Sequence, residues 1–265
     1  MKRSIIKMQD VTYKNIFHNF NLEINRGSFT TIIGKNGSGK TTIFKIILGL
    51  LPFEGYINID GYLLNDFFMK KIRRSFGFAS LNTSNYLLGE TLKDNLIFIL
   101  ENLGYSHREI DNKINDLSKK FKLDDILDNS IENISLSDKS KFQVAASLIH
   151  NPKILLLDNT LSNLDSVNKK LILKALKEYQ KKDNLTIILI TNDLEDTLIS
   201  DKIILLDKGK ILLEGSKEEL YQDDKLEKLG FNLPFIVKLS HNLILYNILD
   251  KVYFNDKEVI DKLWP

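Results

Sequence analysis

The stretch Gly34-Lys35-Asn36-Gly37-Ser38-Gly39-Lys40-Thr41-Thr42 decides how the rest of this chain is read. Ahead of it sits Phe29-Thr30-Thr31-Ile32-Ile33, a short apolar, β-branched run of the kind that forms a buried strand. Behind it, Ile43-Phe44-Lys45-Ile46-Ile47-Leu48 continues as a helix. Strand, glycine-rich loop, Lys-Thr and helix make up the whole context of a phosphate-binding loop. Gly34, Gly37 and Gly39, with Asn36 and Ser38 between them, let the backbone curl so that successive N–H groups point inward at an anion. The helix that follows presents its positive end to the same anion. Lys40 can reach the β- and γ-phosphates, Thr41 offers a hydroxyl to Mg²⁺, and Thr42 completes the stretch. The expected ligand is a nucleoside triphosphate.

The chain has 265 residues, 43% hydrophobic and 27% charged, enough for one α/β domain with a sizeable core and a small extra piece. Net charge is +2 with both signs interleaved, which argues against a nucleic-acid partner. The absence of cysteine excludes disulfides and thiolate metal sites and favours an intracellular location. The opening residues, Met1 to Asp10, lack the apolar core of a signal peptide. The longest apolar stretch, Ile43 to Phe53, is interrupted by Lys45 and is too short to span a bilayer. A soluble protein able to dock on a membrane protein is expected.

Outward from the loop, Ile5 to Tyr13 and Asn19 to Ile24 read as antiparallel strands, with a turn at Asn25-Arg26-Gly27. The loop's helix is expected to end at Leu50 to Phe53, stopped by Pro52. Tyr56 to Gly61 alternates and turns, as a hairpin edge strand does, and Phe76 to Ala79 reads as a short buried strand. Helical periodicity runs from Thr91 to His150. Ile154-Leu155-Leu156-Leu157-Asp158 is then a continuous apolar run ending in a carboxylate. A buried parallel strand with an acid at its carboxyl end is where a fold of this kind keeps a Mg²⁺ ligand. Leu171 to Tyr179 reads as an amphipathic helix, and Leu185 to Thr191, Lys202 to Leu206 and Ile211 to Leu213 as strands. Strands alternating with helices predict an open, mostly parallel sheet. Beyond Tyr221 the pattern changes to short helices around Pro234.

This ordered set resembles the ATP-binding-cassette (ABC) ATPases. The resemblance implies an α/β P-loop NTPase fold: a mostly parallel sheet, an antiparallel edge subdomain, a helical insert and a small C-terminal extension. Residues 1–222 would form the nucleotide-binding domain, with the helical subdomain at about 82–150, and 223–265 the extension. It implies ATP and Mg²⁺ as ligands. Gly34 to Thr41 is the Walker A loop, Asp158 ends the Walker B strand, Ser162-Asn163-Leu164-Asp165 resembles the D-loop, and Ile188 to Asp193 the switch strand. The tail from Leu226 to Ser240 is similar to the C-terminal extension of energy-coupling-factor ATPases, which power uptake of vitamins or transition-metal ions.

Departures from the family pattern carry as much information. The glutamate that polarises the attacking water is replaced by Asn159, and the switch histidine by Asn192. The Q-loop glutamine falls on Leu81, with Asn82 the nearest polar residue. The signature falls on Ile134-Ser135-Leu136-Ser137-Asp138, where Ser137 must adopt the conformation of the glycine it replaces. The adenine-stacking aromatic is expected at Tyr13, with Phe17 as the second candidate.

An amide cannot accept a proton at neutral pH, so this chain is expected to bind MgATP and hydrolyse it poorly. Family members work as head-to-tail dimers, so the resemblance implies a heterodimer with a paralogous ABC ATPase that keeps the glutamate. Ser135 and Ser137 would complete the partner's site, and a damaged signature would slow that site too. The implied setting is the cytoplasmic face of a membrane, beside a transmembrane coupling (T) subunit and substrate-binding (S) subunits. Alternatives are an ATPase subunit of another ABC transporter class, a non-catalytic nucleotide-binding regulatory subunit and, more weakly, a soluble ABC ATPase of translation or DNA repair.

Overall fold

The apolar runs beside the glycine-rich loop become the centre of a twisted sheet in a computed structural model, which describes residues 3–80, 89–222 and 225–264. Strands β1 (Ser4–Tyr13) and β2 (Phe17–Asn25) are followed by β3 (Phe29–Ile33) and helix α1 (Lys40–Ile47). Next come β4 (Glu54–Ile59), β5 (Tyr62–Leu63), α2 (Met69–Arg74) and β6 (Phe76–Ser80). Helices α3 (Leu92–Asn102), α4 (His107–Phe121) and α5 (Leu136–Leu148) precede β7 (Ile154–Asp158) and α6 (Ser166–Asp183). The chain continues through β8 (Thr186–Ile190), β9 (Lys202–Asp207), β10 (Lys210–Gly215) and the single turn α7 (Lys217–Leu220). It closes with α8 (Lys225–Lys228), α9 (Phe235–Leu245) and α10 (Asp256–Leu263).

Six strands form one sheet in the order β10-β9-β3-β8-β7-β6, parallel except for the β9–β10 hairpin. Every residue of β3, β7 and β8 is buried, which is why these segments read as unbroken apolar runs. Their side chains alternate between two cores. Leu155, Leu157, Ile187 and Leu189 face α3 to α6, whereas Leu156, Ile188 and Ile190 face α1 and the second sheet. That second sheet is antiparallel, in the order β2-β1-β4-β5. A third core joins Ile33, Ile203 and Leu205 to Leu226, Leu233, Ile236 and Val237, so α8 and α9 pack directly on the main sheet's strands.

Two expectations need correction. The segment beginning at Tyr56 is no edge strand: β4 is flanked by β1 and β5, because Ile57 and Ile59 are needed in the core between the sheets. Helix α1 ends at Ile47 rather than near Pro52, because the chain turns at Gly49 and Leu50 N–H closes on the Lys45 carbonyl at 2.8 Å.

The two sheets are tied at one end by Asp60, just after β4. Its carboxylate meets Arg26 from the β2–β3 turn and, at 2.6 Å, Lys153 ahead of β7. Burial opposes ionisation of Asp60, but the two cations outweigh it and hold the carboxyl below its usual range. The folded form is therefore the stronger acid. The stability this group contributes is complete above the unfolded value of 3.8 and is lost as pH falls through the folded one. Asp60→Asn, which suits the residue's positive φ, is expected to cost about 1 kcal/mol at pH 7. In denaturant titrations the difference from wild type should shrink below about pH 4.

Candidate functional site

The glycine-rich loop curls between the end of β3 and the start of α1. Gly39 has a φ of +106°, and a Cβ there would lie 2.9 Å from the ring of Phe17. At Gly34 a Cβ would lie 2.2 Å from the carbonyl oxygen of Leu206, so the loop can rest against β9 only without a side chain. The Gly209 N–H donates to the Ser38 carbonyl at 2.9 Å and fixes the loop to the β9–β10 turn. Lys40 opens α1 and is almost wholly buried, at 6% exposed. Its ammonium donates to the carbonyls of Gly34 at 2.6 Å and Lys35 at 3.0 Å. Burial lowers its pKa, and the charge of Asp158 partly restores it.

Asp158 ends β7, buried at the carboxyl edge of the sheet. Burial raises its pKa, against hydrogen bonds from Thr41 and Asn159 and the charge of Lys40. One hydroxyl and one carboxylate, beside a loop built for phosphates, suit a Mg²⁺ that takes its remaining ligands from phosphate and water. Among the described residues no group of three or more His, Cys, Asp or Glu side chains is placed to hold a metal by itself.

Thr41, Asp158, Asn159 and Asn192 share one cleft of about 910 Å³. Asn159 follows β7 with a φ of +54°, and its Nδ2 donates to Asp158 Oδ1 at 3.0 Å. Asn192 reaches back to the loop, donating from Nδ2 to Asn36 Oδ1 at 3.1 Å. The switch segment around it is held from below. Thr191 Oγ1 donates to Asp196 at 2.7 Å and accepts from the Asp193 N–H at 3.0 Å. Lys169 of α6 pairs with Asp196 at 2.5 Å and Asp193 at 3.3 Å. Burial opposes the charge on Lys169, yet those carboxylates raise its pKa overall. Sequence reading missed this clamp, because Lys169 lies far from Asp196 along the chain and has no local motif.

Ser135 and Ser137 lie away from the cleft. Ser135 caps α5, accepting from the Asp138 N–H at 3.0 Å. Ser137 lies within the first turn of α5 and is absent from the described residues with positive φ. The expected glycine-like conformation is thus overturned: a serine fits because the helix begins before it. Its hydroxyl donates to Asp165 at 2.5 Å and accepts from Asn168 Nδ2 at 2.9 Å. Asp165 caps α6, and the Ser137 and Asn168 bonds pull its pKa down to about 2. Leu136 stands exposed next to this knot.

The aromatic candidates are placed less simply. Phe17 is completely buried, its ring tilted against Phe20 with centres 4.7 Å apart, which removes it as a base platform. Tyr13 is 8% exposed with Lys14 Nζ 5.4 Å from its ring centre, and it does not line the cleft. Leu81 and Asn82 lie outside the described residues.

A parallel sheet whose central strand runs into a phosphate cradle, with the next strand but one ending in a buried acid at the same edge, defines a P-loop ATPase. The chain belongs to the ABC transporter family, whose model matches residues 17–162. It is 33% identical to the energy-coupling factor transporter ATP-binding protein EcfA of Pediococcus pentosaceus, over 91% of this chain and 89% of that protein. Among solved structures it resembles cbiO1 of Clostridium perfringens, described as part of the ABC transporter complex cbiONQ. That match has a TM-score of 0.77 at 27% identity, covering 90% of this chain and 99% of the other. A dimeric structure of the ABC transporter cassette MJ0796 matches with a TM-score of 0.71 at 28% identity, over 80% of this chain and 98% of that one. The chain is thus an ATPase of the kind that drives a transporter.

Gly39→Ala is expected to abolish nucleotide binding, measured by fluorescence titration. The added methyl meets the Phe17 ring, and the backbone strain alone costs about 1–3 kcal/mol.

Proposed function

We propose that this chain is the ATP-binding subunit of an energy-coupling-factor importer for vitamins or transition-metal ions, and the hydrolysis-impaired half of a heterodimer. The observation that carries the second part is Asn159. At the position of the family's catalytic glutamate, a carboxamide donates to Asp158, where a carboxylate would accept a proton from water. A positioned general base contributes about 10²–10⁴-fold, or ~3–5 kcal/mol of barrier. Lys40, Thr41 and Asp158 act on the ground state as well, so binding survives that loss. Thr41 and Asp158 would hold Mg²⁺, which would supply positive charge to offset that of the phosphates. Gly34, Asn36, Gly37, Ser38, Gly39 and Thr42 complete the cradle, and Tyr13 is the proposed base contact. Asn192, tied to Asn36, can hydrogen-bond a γ-phosphate without titrating near neutral pH.

Pairing is supported by the dimeric form of the related cassette. In a head-to-tail pair, Ser135, Ser137 and Asp165 would face the paralogue's nucleotide. The bond between Ser137 and Asp165 means that signature helix and D-loop would move as one piece. Among the described residues no helix is long and apolar enough to cross a membrane. The proposed membrane partners are separate T and S subunits, with this chain peripheral on the cytoplasmic face; the likeness to EcfA and to cbiO1 of the cbiONQ complex supports this reading. Residues 1–222 would form the cassette, with its helical subdomain at about 82–150, and 223–265 its extension.

The isolated chain should bind MgATP and turn it over slowly, and mixing with the paralogue should restore turnover. Brisk hydrolysis by the chain alone, abolished by Lys40→Ala, would overturn the impaired-site reading. A chain that binds ATP but gains nothing from the paralogue would favour a regulatory subunit.

A further inference from the structure

The phosphate end of the cleft has a wall that comes from the C-terminal extension. Gly230, Phe231 and Asn232 line the same space as Thr41, Asp158 and Asn192. This turn is held at both ends. Behind it, the Gly230 N–H donates to the Glu227 carbonyl at 2.8 Å and the Phe231 N–H to the Leu226 carbonyl at 3.1 Å, with Leu226 fully buried. Ahead of it, Leu233 and Ile236 sit in the core with Ile33 and Leu205. The Phe235 N–H donates to Glu195 Oε1 at 2.8 Å, three residues after the switch residue Asn192. The turn also approaches the loop: a Cβ built on Gly230 would lie 3.9 Å from Lys35 Nζ.

Asn232 is exposed on this wall, and no other described residue hydrogen-bonds its carboxamide. A carboxamide offers two N–H donors and no charge, which suits an anion already neutralised by lysines and a cation. Thr41, Asp158 and Asn192 line this space as well, so the wall borders the phosphate end of the cleft.

We propose that Asn232 is a nucleotide-binding residue supplied in cis by the C-terminal extension, with its carboxamide facing the terminal phosphate of a bound nucleoside triphosphate. This rests on the reading of the cleft as the nucleotide site. It also gives the extension a direct part in telling the triphosphate from the diphosphate.

Charge substitution tests it. MgATP and MgADP affinities of the full chain would be measured with fluorescent analogues for wild type, Asn232→Ala, Asn232→Asp and Asn232→Lys. A carboxylate facing the terminal phosphate should weaken MgATP about tenfold and MgADP under about twofold, while the ammonium shifts the ratio the other way. The alanine variant should lose about threefold for MgATP alone. Because Asn232 is exposed, all three should melt as wild type does. Equal effects on both nucleotides, or none, would overturn the proposal while leaving the nucleotide site standing. If wild type binds neither nucleotide, the site reading itself fails.

Discussion

Lys40 is a cation held almost out of water, and much of the architecture follows from keeping it there. Withdrawing an ammonium from solvent costs several kcal/mol unless its protons find acceptors. Here the acceptors are the carbonyls of Gly34 and Lys35, with the charge of Asp158 close by. Those carbonyls turn inward because the loop curls on itself; the same curl brings the Ser38 N–H onto the Lys35 carbonyl at 3.2 Å and is the shape in which loop N–H groups meet phosphate. The loop keeps its shape because β9 and the β9–β10 turn press on it, through Leu206 at Gly34 and Gly209 at Ser38. A hairpin far along the chain thereby buttresses the anion cradle.

The three cores divide the work. Alternate residues of the central strands feed the helical side and the antiparallel-sheet side, so a change in one layer reaches the other through a single strand. The third core seats the C-terminal extension on β3 and β9, the two strands that bracket the cradle. Its anchoring bond to Glu195 lies in the turn that begins at Leu194, directly after the switch. Extension, switch and loop thus share one packed neighbourhood.

The residues proposed to stand in for the family's catalytic groups are well accommodated. Asn159 and Asn192 each make a hydrogen bond that a carboxylate or an imidazole would make differently, one to Asp158 and one to Asn36. Asn159 occupies the left-handed region, which asparagine tolerates better than most residues. Ser137 likewise exchanges a glycine's freedom for a helical position and a bond to the D-loop.

Much of this was legible in the chain. The unbroken apolar runs of β3 and β7 announced strands buried on both faces, because only such strands need no polar side. Gly34 to Thr41 announced the cradle, because its chemistry is local and packed into nine neighbouring residues including Thr42. What lay beyond reach was every partnership between distant segments. Lys169 beneath the switch, Ser137 against Asp165, the burial of Phe17 by the loop and the Gly230–Asn232 wall all join residues that share no periodicity or motif. Local spacing dictates which way a backbone turns and which anion it can hold. Only the packed fold decides which remote side chain arrives to complete the site, because that depends on how the three cores close together.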